Sequence, residues 1–112
     1  MPSRSAASGK GVLEVYVTCS NQSEADRIAD AVVRERLAAC VNSWPIASRY
    51  RWKGRLVRSR EVALLLKTTA QVYPRLERQI RRLHSADVPG IVSWPATGGW
   101  PAYHRWVKDS VR

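Results

Sequence analysis

The apolar residues of this chain change their period in a fixed order, and that order leaves few folds open. Val12–Thr18 (VLEVYVT) alternates and is rich in β-formers, as a strand requires. Ala25, Ile28, Ala29, Val32, Val33 and Leu37 then recur at helical spacing, with Arg27, Asp30 and Arg34 turned outward. Asn21 and Glu24 stand where a helix cap and its N3 partner belong. A second strand opens near Cys40, and Pro45 marks a bulge or a sheet edge, because proline donates nothing to a ladder. From Ser48 the alternation is strict. Arg49, Arg51, Lys53 and Arg55 point one way, Tyr50 and Trp52 the other, until Gly54 turns the chain into a hairpin. Glu61–Thr68 (EVALLLKT) is a continuous apolar run suited to a central third strand. Thr69 is placed to cap a second helix that tolerates Pro74 in its first turn and buries Tyr73, Leu76, Ile80 and Leu83. Ile91–Trp94 reads as a short fourth strand, and Pro101 opens a last helix along which Tyr103, Trp106, Val107 and Ser110 share a side.

Two βα units joined by a hairpin specify an α+β, ferredoxin-like βαββαβ sandwich, here with an extra C-terminal helix. A chain of 112 residues holds one core, so residues 12–112 form a single domain and residues 1–11 a flexible N-terminal tail. Met1–Lys10 is small, polar and basic with no apolar centre, which reads as neither signal peptide nor anchor. No stretch approaches the length of a membrane-spanning helix, so a cytoplasmic protein is expected. Two cysteines far apart form no CxxC pair and no disulfide scaffold; reduced thiols are the simpler reading. The net charge of +10 attracts anions without requiring any specific site.

Several strings in this frame resemble the CutA family of divalent-cation tolerance proteins. They are Val17-Thr18-Cys19 at the end of the first strand and Glu35-Arg36-Leu37-Ala38-Ala39-Cys40-Val41-Asn42 across the helix end and second strand. Ser48, Tyr50, Trp52 and Gly54 match the family's S-x-Y-x-W-x-G pattern. Leu64–Thr69, Leu83-His84 and Pro101-Ala102-Tyr103 continue the likeness, which covers about residues 12 to 111. The chain departs from it after His84. Where the family usually reads Pro-Tyr, an acid, a variable residue and Pro-Glu-Ile, this chain reads Ser85-Ala86-Asp87-Val88-Pro89-Gly90-Ile91.

The resemblance implies a homotrimer without enzymatic activity, with a site for copper or another divalent metal ion at Cys19, Cys40 and His84. Thiolate and imidazole suit such ions. Read without the resemblance, the same residues are two core cysteines and a histidine at a helix C-terminus. No oxyanion hole, orienting third group or phosphate loop accompanies them, so a Cys–His nucleophile lacks its machinery. A trimer would also explain the aromatics. Five Trp and four Tyr, several of them on a long hairpin, exceed what so small a core can bury. The trimeric form resembles the PII signalling proteins, which gives a small-molecule sensor as an alternative. A nucleic-acid-binding module of the same fold is a further one. It is weakened because Tyr50 and Trp52 lie opposite the basic residues instead of among them, and any such binding is expected to be non-specific.

Overall fold

The computed structural model describes residues 11–112; the tail expected at residues 1–11 lies outside it apart from Gly11. The elements follow in the expected order: β1 (Val12–Cys19), α1 (Gln22–Arg34), β2 (Cys40–Trp52), β3 (Arg55–Thr69), α2 (Tyr73–Leu83), β4 (Ile91–Pro95) and α3 (Pro101–Ser110). The strands form one antiparallel sheet in the order β2-β3-β1-β4. The first strand of each βα unit is thus central and the two outer strands close the edges, which is the ferredoxin-like arrangement.

One face of the sheet makes the core. Val15, Val17 and Cys19 of β1 lie beside Leu66, Leu64 and Val62 of β3, and Ala25, Ile28 and Val32 of α1 with Leu76 and Ile80 of α2 close over them. Full burial of one such aliphatic side chain contributes roughly 1.5–3 kcal/mol, which ties both helices to this face. The opposite face carries Glu14, Tyr16 and Thr18 of β1 with Lys67, Leu65 and Ala63 of β3. α3 lies against part of that face, where Lys67 sits over the Tyr103 ring. Beyond α3 the chain returns to the core through Val111.

Three local outcomes differ from the sequence reading, and a fourth decides between its two alternatives for Pro45, in favour of the sheet edge. α1 stops at Arg34, because Arg36 adopts φ 63° and turns the chain off the helix axis. Leu37 N then bonds Val32 O at 2.9 Å and Arg36 N bonds Val33 O at 3.0 Å, the pattern of a left-handed helix end. Leu37 still reaches the core, but from the loop. Pro45 causes no bulge: the register runs unbroken from Trp44↔Ala63 through Pro45↔Val62 to Ile46↔Glu61, and proline is tolerated because β2 is an edge strand. Lys53 and Arg55 both leave the basic stripe: Lys53 and Gly54 (φ 52° and 78°) are the two turn residues, and Arg55, paired directly with Trp52, lies on the aromatic face. β3 therefore begins at Arg55. Thr69 does not cap α2 directly; its hydroxyl accepts from Val72 N at 3.3 Å and closes the turn before the helix.

Candidate metal centre

The C-terminal end of β1, the first turn of α1 and the residues just after α2 meet at one place. Asn21 caps α1 as expected, its side chain accepting from Glu24 N at 2.8 Å. The Glu24 carboxylate does not return to the cap residue. Its Oε1 instead accepts from Ser20 N at 2.8 Å and Ser20 Oγ at 2.9 Å. Its Oε2 accepts from Ser85 N at 2.6 Å, bridging α1 to the segment after α2. Burial alone would push the pKa of this carboxyl up, but these bonds outweigh it and hold the group down at about 2.

His84 is fixed from both sides of its ring. Thr18 O lies 2.8 Å from Nε2, and since a carbonyl only accepts, Nε2 carries the proton. Nδ1 accepts from Ala86 N at 3.0 Å and faces Glu24 Oε2 at 4.0 Å. A histidine whose one N–H is held by a backbone carbonyl presents the other nitrogen's lone pair in a set direction, as metal-ligating histidines do. Cys19, fully buried, completes the group. Its thiol is pushed up to about 12, by burial first and then by Glu24 and Glu61, with Arg27 opposing.

Among the described residues, Cys19, Glu24 and His84 are the group whose sulfur, carboxylate oxygen and imidazole nitrogen all come within 4.8 Å of one another. Ligands of a tetrahedral zinc-like ion lie roughly 3.5 Å apart, so closing on an ion takes shifts of up to about 1 Å. The donor set of sulfur, nitrogen and oxygen fits a borderline-to-soft cation. Of the three, His84 borders a cleft of about 640 Å³ between the β2–β3 hairpin and the segment after α2, which Thr18, Ser20 and Ser85 also help to line, while Cys19 and Glu24 lie buried behind it.

Cys40 lies elsewhere in the chain. On β3, Cys19 is level with Val62 and Cys40 with Lys67, a separation of five residues or roughly 17 Å at strand rise. Cys40 Sγ sits 3.4 Å from Tyr103 Oη under α3, on the face opposite the core. That contact, with burial, pushes the Tyr103 phenol up to about 12. Within one chain the structure thus gathers two of the three residues expected from sequence, Cys19 and His84, and a ligand set that includes Cys40 has to be built between chains. The third member present, Glu24, was legible only as a helix-cap acid. His104 holds Gly98 O at 2.7 Å and takes no part.

Comparison with known proteins agrees with this architecture. The family model for CutA1 divalent ion tolerance protein matches residues 13–110. The divalent-cation tolerance protein CutA of Thermus thermophilus is 41% identical over 98 residues, spanning 87% of this chain and 95% of that protein. Protein CutA of Mus musculus is 41% identical over 109 residues, 92% of this chain but 62% of the mouse protein. The solved structure of the periplasmic divalent cation tolerance protein CutA from Archaeoglobus fulgidus superposes with a TM-score of 0.88 at 30% identity, covering 90% of this chain and 99% of that one. The chain belongs to the CutA1 divalent ion tolerance family.

Proposed function

We propose that the protein serves divalent-cation tolerance in the cytoplasm as a non-enzymatic homotrimer, and that each chain takes copper, or a similar thiophilic ion, at Cys19, Glu24 and His84. The observation that carries the metal reading is the convergence of three different donor atoms within 4.8 Å beside an open cleft. Loading displaces the thiol proton of Cys19 and frees Nδ1 of His84 from Ala86 N. Binding is therefore accompanied by proton release and strengthens as pH rises. Anaerobic titration with Cu(I) tests the assignment. Cys19→Ser abolishes the bound equivalent, whereas Cys40→Ser leaves it in place. Unchanged stoichiometry in Cys19→Ser returns that cysteine to the core and removes the site.

The trimer reading rests on uncovered aromatic surface. Trp44, Tyr50, Trp52 and Trp94 are each at least 40% exposed, and the strand registers place them on the sheet face away from α1 and α2. Joining copies covers that face. Light scattering is expected to give about three times the 12.6 kDa chain mass, with Trp52→Ala weakening the assembly. A clean monomer refutes this reading.

A further inference from the structure

β3 loses its partner β1 beyond Val62, so from Ile46↔Glu61 to Trp52↔Arg55 the β2–β3 hairpin continues as a two-stranded arm. Its two faces differ. Ser48, Tyr50, Trp52 and Val57 share one, with Arg55 at its tip; Arg49, Arg51, Arg58 and Arg60 share the other with Ala47 and Leu56, and all four of these arginines are exposed. Arg49 and Arg58 are directly opposed across the ribbon. Like charges in that position are destabilising. Among the described residues none of the four takes part in a salt bridge, so the fold of the single chain gives no reason for gathering them.

We propose that this arginine face docks on the phosphate backbone of duplex DNA, without sequence selectivity. Guanidinium groups match phosphate oxygens with two parallel hydrogen bonds, which favours a phosphate partner over a generic anion. A two-stranded ribbon is an element that the B-form major groove, about 12 Å wide, admits, whereas the A-form major groove is too deep and narrow. Alternate residues of a strand lie about 6.6–6.8 Å apart. The four side chains therefore spread along and across the ribbon and reach both walls of such a groove. Single strands are disfavoured because their binders stack bases on aromatics set among the cations, and Tyr50 and Trp52 lie on the other face. The aromatic face remains free for neighbouring copies, and the inference does not depend on the metal site.

Fluorescence anisotropy of the full chain with a short labelled mixed-sequence DNA duplex tests it. The parent binds at about 50 mM salt with affinity falling steeply as salt is added. The Arg49→Ser/Arg58→Ser variant loses roughly tenfold or more, and its log–log salt slope becomes shallower by about two, the loss of two phosphate contacts. Arg51→Ser/Arg60→Ser gives a comparable loss. Arg78→Ser/Arg81→Ser, which removes the same charge from the exposed side of α2, changes affinity by less than about threefold if location matters more than net charge. Equal losses in the arm and α2 variants overturn the proposal. So does RNA duplex bound as tightly as DNA, or no binding by the parent at about 50 mM salt. A changed mass of Arg49→Ser/Arg58→Ser in light scattering also overturns it, by showing that the face joins copies of the chain.

Discussion

Glu24→Gln isolates the hydrogen-bonded carboxylate that joins α1 to the segment after α2. In the parent the carboxyl is lowered from 4.5 to about 2. Each unit corresponds to 1.36 kcal/mol, so the ionised group contributes roughly 3 kcal/mol at neutral pH. The side chain is buried, with the residue 3% exposed, so solvent screening removes little of this. The sign follows from the direction of the shift. A depressed carboxyl stabilises fully above its unfolded value of 4.5 and loses that contribution as pH falls towards about 2. Glutamine keeps the shape but offers one neutral acceptor to donors that met two charged ones. Urea unfolding at fixed protein concentration is expected to show the variant about 3 kcal/mol less stable at pH 7, with the gap narrowing steadily below pH 4.5 and nearly closed at pH 2. A gap that is constant between pH 6 and about pH 2.5 refutes the electrostatic account. It would mean that glutamine disturbs packing instead.

Arg36 combines an unfavourable backbone with a useful side chain. Its Nε donates to Ser110 O at 3.2 Å and its Nη2 to Asp109 O at 3.4 Å, meeting carbonyls left open at the end of α3. Alanine and glycine both lose these bonds, but only glycine relieves φ 63°, so Arg36→Ala is expected to melt lower than Arg36→Gly by an amount worth about 1 kcal/mol. Gly99 has φ 123°, and a Cβ there meets His104 Nε2 at 2.6 Å. Gly99→Ala is expected to cost about 1–3 kcal/mol in thermal unfolding. The penalty shrinks but does not vanish in Gly99→Ala/His104→Ala, because the backbone strain persists when the clash is gone.

Element order was legible because it follows from apolar period, and period is set by which side of each element meets the core. Where no core lies beneath, the signal fails. Leu56–Arg60 (LVRSR) carries no apolar alternation because the arm has no helix behind it, and its strand state depends on pairing with β2 through the Lys53-Gly54 turn. The end of α1 was missed for a related reason. Glycine is the usual mark of a left-handed helix end, and here arginine occupies the position. Its favourable contacts come from α3, far along the chain.

The candidate centre was legible only in its side chains. Cys19 and His84 stand at the ends of recognisable elements, but sequence spacing carries no register, and the five-residue offset between Cys19 and Cys40 along β3 is a property of the ladder. The groups that define the electrostatics are mostly backbone N–H donors, at Ser20, Ser85 and Ala86. Backbone donors leave no residue-type signature, with one exception. Proline has no N–H, so the Pro-Tyr expected after His84 from the family pattern could not have supplied the 2.6 Å bond that Ser85 gives to Glu24. The departure after His84 therefore does more than alter a loop. It adds a donor to the acid that shares the centre with Cys19 and His84, and it favours the ionised carboxylate that a cation would meet.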